Sequence, residues 1–247
     1  DELKDAVVDK LKKDNGLAYE RSQILISCGA KHSLYNIAEA IFDPGDEVII
    51  PSPYWVSYPD QVILNDAIPV IVETTEQEGF RISAVKLEKA ITKKTKAIVL
   101  NSPSNPTGLA YDRKTLEEIA AVAVRHRIYV ISDEIYEKLV YDGFTHTSIA
   151  SLNPEIKELT IVVNGVSKSH AMTGWRIGFA AGPKDVITAM ANIQSQSTSN
   201  PTSISQKAAL EALRGPQDFL PVMNAEFDKR RKYMVGRLNK MQGVSCM

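Results

Sequence analysis

Short apolar runs rich in valine and isoleucine recur along the chain, separated by longer amphipathic stretches. The runs are ILIS (24–27), EVIIP (47–51), IPVIVET (68–74), KAIVLN (96–101), IYVISD (128–133), LTIVVN (159–164) and IGFAAG (177–182). Their length and β-branched content predict strands. Between them, the segment 115–126 (TLEEIAAVAVRH) sets Leu116, Ile119, Ala120 and Ala123 on one face at helical spacing. Within the strands the apolar character is continuous and does not alternate, which is the mark of burial on both faces. The pattern therefore predicts an α/β fold: a mainly parallel sheet sandwiched by helices. Groups that carry chemistry then belong at the strand ends.

From about residue 184 the pattern changes to helices alone, over 184–194, 203–213 and 217–240, punctuated by Asn200-Pro201 and Gly215-Pro216. The last is long and charged. It suggests a division into a sheet domain over 1–215 and, over 216–247, a helix leading toward a small C-terminal domain absent from this chain. The opening DELKDAVVDKLKKDNG carries a helical stripe of Leu3, Val7 and Leu11 and starts within the helix, while the closing GVSCM resembles the start of a strand. The expectation is of a chain truncated at both ends.

Composition narrows the class. With 247 residues and 44% hydrophobic content, one large domain can bury a sizeable core. Lys plus Arg total 29 against 30 for Asp plus Glu, so no net field favours nucleic acid or an anionic membrane. No run reaches the roughly 20 apolar residues of a membrane span. The two cysteines, Cys28 and Cys246, are too few for a disulfide framework and lack zinc-site spacing, which suits the cytoplasm.

Five segments are candidates for chemistry. In YVISDEIYEKL, Asp133 ends a strongly apolar strand, where a carboxylate needs a positive or proton-donating partner such as a protonated pyridine nitrogen; a helix cap is the other reading. Tyr136 follows, and alone reads as a packing tyrosine. SPSNPTG is a turn after a strand that could present the Asn105 amide to an oxygen of a ligand, or bond it to itself. VNGVSKSHAMTGWRIG holds Lys168 and Arg176 in otherwise uncharged surroundings: a desolvated lysine is a nucleophile toward an aldehyde, and an arginine suits a phosphate. Both could instead be snorkelling surface side chains. SCGAKHSLYNIAEAIF puts Gly29 and Ala30 between strand and helix, where backbone N–H groups can meet an anion, with Lys31 just behind. PSPYWVSYP offers Trp55 for stacking or for plain packing.

In this order, G-A-K, P-Y-W, N-P-T-G, S-D-E-I-Y and S-K-x₇-R resemble the class I aminotransferases of pyridoxal 5′-phosphate (PLP) fold type I, above all the aspartate and prephenate aminotransferase branch. The resemblance implies the large PLP-binding domain of that fold over 1–215. It implies that Lys168 forms the Schiff base and then acts as general base, that Asp133 pairs with the pyridine nitrogen, and that Asn105 and Tyr136 bond the phenolic oxygen. Trp55 would stack on the ring, and the phosphate would be held by Gly29, Ala30, Ser167 and Arg176. Lys31, with Trp55 and Asn105, would contact substrate and read the distal carboxylate of an acidic amino acid. The reaction implied is amino transfer between aspartate or glutamate and a 2-oxo acid, namely 2-oxoglutarate, oxaloacetate or prephenate, in a homodimer. No metal is expected. A β-lyase or decarboxylase on the same scaffold and a non-enzymatic PLP sensor are the alternatives. One departure stands out: Gly165 occupies the place where many relatives carry a phosphate-binding serine.

Overall fold

A computed structural model describes residues 1–246. All seven apolar runs become strands: β1 (Ile24–Ser27), β2 (Glu47–Ser52), β3 (Ile68–Glu73), β4 (Thr95–Asn101), β5 (Tyr129–Asp133), β6 (Thr160–Gly165) and β7 (Gly178–Ala181). They form one sheet in the order β1-β7-β6-β5-β4-β2-β3. The five strands from β3 to β6 are parallel, whereas β7 runs antiparallel to both β6 and β1. The helices are α1 (Glu2–Asn15), α2 (Ala30–Ile41), α3 (Ser57–Ile63), α4 (Ala84–Ala90), α5 (Arg113–His126), α6 (Pro154–Lys157), α7 (Lys184–Ser197), α8 (Ser203–Arg214) and α9 (Phe219–Leu238).

Alternate strand residues serve opposite faces, as the pleat requires. Val48, Ile50, Val99, Ile131 and Val163 pack with α2, α3 and α7. Their neighbours Ile49, Ile98, Leu100 and Val130 meet α4, α5 and α6 on the other face, and Val162, Phe179 and Ala181 meet α1 and α8. Each fully buried aliphatic side chain contributes roughly 1.5–3 kcal/mol of transfer free energy, so both faces must be covered for the sheet to persist. The exception is β3, where Ile68 is 46% and Ile71 40% exposed. It pairs with β2 alone and lies at the sheet edge, so burial on both faces fails there.

Local signals set the helix ends. Asp112 caps α5 by accepting from Thr115 N–H at 2.9 Å, and α1 stops at Gly16, whose left-handed φ of 67° lets its N–H reach Leu11 O. The stripe of Val186, Ile187 and Met190 on α7 ends in a buried amide, Gln194. This side chain accepts from Ser27 Oγ at 2.8 Å and Asn36 Nδ2 at 3.0 Å, and donates to Ile26 O at 2.8 Å. It ties α7 to β1 and α2. The strand start expected at 243–247 is not formed over 243–246, where Cys246 instead exchanges two hydrogen bonds with Asn239 past the end of α9; Met247 lies outside the described residues. Among the described residues no helix is long and apolar enough to cross a membrane.

Candidate active site

Strands β4, β5 and β6 end side by side, with Asn101 opposite Asp133 and Asp133 opposite Val163. Their C-terminal loops carry Asn105, Asp133 with Tyr136, and Lys168. The start of α2 and the turn before β7 close the ring. Together they enclose a cavity of about 250 Å³ lined by every expected site residue except Gly29. Gly29 forms the wall behind it.

Asp133 sits at the bottom. Burial is the main influence on its carboxyl and pushes it up to about 6, against donors from Tyr58 and Ile135; the Glu134 charge adds to the rise and Lys168 opposes it. Tyr58 Oη donates to Oδ2 at 2.8 Å and Ile135 N–H to Oδ1 at 3.2 Å. An ionised carboxylate has about four acceptor positions, so two donors leave capacity for a cation in the cavity. Burial, followed by the Asp133 charge, raises Tyr58 well above the ordinary phenol range, keeping it a donor.

Asn101 holds the floor together. Its Nδ2 donates to Asp133 O at 3.0 Å while its Oδ1 accepts from Asn105 N–H at 2.7 Å. Above them the Lys168 ammonium lies 5.4 Å from the centroid of the Tyr136 ring. Lys31 Nζ sits 4.7 Å above the Trp55 ring on the opposite wall, and Trp55 meets Tyr58 edge-on at 5.5 Å.

The far end suits an anion. Helix α2 starts at Gly29 with φ 94° and no side-chain cap, which leaves first-turn amides and the positive end of the dipole facing that end. A Cβ on Gly29 would lie 2.4 Å from Arg176 Nη2, and one on Gly178 would lie 2.3 Å from Ala30 N. Only glycine admits this approach. Arg176 Nη1 donates to Thr173 O at 2.8 Å and Nη2 to Cys28 O at 3.4 Å, which bends the guanidinium over the helix start. The uncharged flanks suggested a buried arginine, but Arg176 is exposed at the rim because its turn lies at the cavity mouth. At Gly165, a Cβ would come within 2.8 Å of Ile177 O and 2.9 Å of Gly178 Cα. The packing of β6 against β7 therefore leaves no room for the serine that the resemblance led one to expect at this position.

Sequence reasoning missed Tyr58, Asn101, Ile135 and Thr173. Asn101 carried the same signal as Asp133, a polar residue closing an apolar strand. Tyr58 stands three residues after Trp55, one helical turn along. Ile135 and Thr173 left no signal. The donor set fits PLP: a buried acid for a pyridinium, an anion-binding helix start for a phosphate, and an amine between them.

The family model for aminotransferases of class I and II matches residues 1–247. The chain is 52% identical over 245 residues to an aspartate aminotransferase of Bacillus sp. (strain YM-2), covering 99% of this chain and 62% of that protein. It is 50% identical to an aspartate/prephenate aminotransferase of Cereibacter sphaeroides, again over 99% of this chain and 62% of the relative. The crystal structure of the aspartate aminotransferase from Rhizobium meliloti superposes with a TM-score of 0.98 at 49% identity, over all of this chain and 62% of that one. The chain thus spans about 62% of the length of these relatives.

Proposed function

Because the chain belongs to the class I and II aminotransferases, we propose that it carries the cofactor site of an enzyme that moves an amino group between an acidic L-amino acid and a 2-oxo acid. The supporting observation is the convergence of Lys168, Asp133, Asn105, Tyr136 and Arg176 from separate loops onto one cavity. Bound PLP supplies an aldehyde that condenses with amines and a ring that accepts the electrons of a carbanion.

The residues divide that work. Lys168 would hold the cofactor covalently through Nζ and, once displaced by substrate, take the proton from the substrate Cα. Asp133, with its two fixed donors, would accept from the ring nitrogen, and the positive charge there would offset the desolvation of the carboxylate. Tyr136 and Asn105 would donate to the phenolic oxygen and Trp55 would cover one ring face. Ala30, Ser167, Arg176 and the backbone of Gly29 would hold the phosphate. Lys31, whose ammonium stands over Trp55, would read the distal carboxylate of aspartate or glutamate.

Borohydride reduction of the PLP-loaded protein followed by peptide mapping tests the assignment. The expected adduct is on Lys168, and an adduct on any other lysine would overturn it. In the full-length enzyme, aspartate with 2-oxoglutarate should bleach and then restore the cofactor absorbance in successive half-reactions, a cycle that a β-lyase or decarboxylase would not complete.

A further inference from the structure

Along the turn after β5, Glu134 and Glu137 alternate with the cavity residues Asp133 and Tyr136, yet neither lines the cavity. They are 1% and 6% exposed. Two carboxylates this deep are costly unless matched by cations and donors. Each is matched. Glu134 Oε1 accepts from Ser132 Oγ at 2.8 Å and Ser148 Oγ at 2.7 Å, and its Oε2 faces His146 Nε2 at 3.1 Å. Glu137 Oε1 pairs with the Lys10 ammonium, and its Oε2 accepts from Asn15 Nδ2 at 2.8 Å, while Asn15 Oδ1 accepts from Lys10 at 2.7 Å. The His146 and Lys10 side chains are themselves 7% and 10% exposed.

Glu134, Glu137 and His146 bring ligand atoms within 4.8 Å of one another, a spacing a metal ion could use. Here, however, every carboxylate oxygen already has a donor, and an ammonium occupies one of them. The geometry points to a charge-balanced layer instead.

We infer that Lys10, Glu134, Glu137 and His146 are positioning residues for the cofactor: two buried carboxylates held by a buried ammonium and a buried imidazole that fix the Asp133–Tyr136 turn from behind and temper the Glu134 charge on Asp133. The inference rests on reading the cavity as a PLP site. Its sign follows from the electrostatics. The negative Glu134 pushes the Asp133 carboxyl toward its protonated form, and a protonated His146 beside Glu134 opposes that push. Burial opposes charge on His146, but the hydrogen bond and charge of Glu134, with Glu137 beyond it, prevail over burial and Lys10 and raise the imidazole above its ordinary value. Asp14 and Lys138, an ion pair at 3.0 Å, close the outer side of the layer, and Tyr19 feels the Glu134 charge from the N-terminal side.

The experiment is a charge cycle on the PLP-loaded enzyme. H146Q should weaken the Kd for PLP by roughly two- to tenfold, the scale of a charge coupling between neighbours, and E134Q/H146Q should recover most of that loss because both charges are gone. A Kd unchanged in H146Q overturns the inference, and so does a double variant no better than the single one. A purely structural role would lower Tm while leaving Kd in place, which also overturns it. If the parent binds no PLP, the PLP reading falls and this inference with it, an outcome distinct from a parent that binds and variants that match it. Should the variants not fold, ¹⁵N shifts of the His146 ring in the unaltered enzyme decide: imidazolium at pH 7 supports the layer, and a neutral ring overturns it.

Discussion

Asp133 pays in stability for its place at the bottom of the cavity. Its carboxyl titrates near 6 when folded against roughly 3.9 in an unfolded chain, a difference of about 2 units or about 3 kcal/mol. The sign follows from the raised value: the favourable contribution is complete below the unfolded value and is lost as pH rises through 6. In cofactor-free protein, Asp133→Asn should therefore raise Tm at pH 8 by a few degrees and leave it unchanged near pH 3.5, which calorimetry at the two pH values would check. The same substitution should lower kcat by roughly 10²–10⁴-fold, since an amide cannot hold a proton on the ring nitrogen as a carboxylate does. On the proposed reading of Lys31 as the reader of the distal carboxylate, Lys31→Ala belongs with it: losing a charged contact there would cost about 1.5–3 kcal/mol, and the ratio of kcat/KM for aspartate over alanine should fall about 10- to 100-fold.

Six of the seven strands were legible because a strand buried on both faces is apolar along its length, and edge strand β3 was legible from its β-branched run alone. Direction was not legible for β7: whether a strand runs with or against its partner depends on the connection, here the link over 166–177 that contains the 3-10 segment Thr173–Trp175, and not on side-chain pattern. Gln194 closes the helix expected over 184–194, and its inward role could be read from spacing despite the polar run QSQSTSN around it. Val186, Met190 and Gln194 fall four apart, and the helix carries the amide inward to Ile26, Ser27 and Asn36. Gln194→Ala should orphan these groups and cost about 2–4 kcal/mol, read as a lower urea midpoint at constant m. Gly165→Ser tests the opposite fault. A serine here forces a side chain against Ile177 O and Gly178 Cα, and overpacking of this kind costs about 1–3 kcal/mol. The variant should melt earlier and hold PLP no better, as fluorescence titration would show.

The cavity draws on residues from Ala30 to Arg176, so a ligand bound there stabilises the sheet as a unit and not one loop. At free PLP about 100-fold above Kd the gain should be about 2.7 kcal/mol. Thermal melts at increasing PLP should show Tm rising with the logarithm of concentration, and Lys168→Ala should shift that rise to higher PLP. The same long reach shapes how the protein is made. Strand β1 has one neighbour in the sheet, β7, which leaves the ribosome about 150 residues later. At roughly 5–20 residues per second, the apolar ILIS segment spends on the order of ten seconds without its partner. During that interval α1 and α2 are the elements next to it in sequence that pack on it, and the anion-binding end of the cavity, built where Gly29 meets Gly178 and Arg176, does not yet exist. Cofactor capture is thus a late event in the life of each new chain.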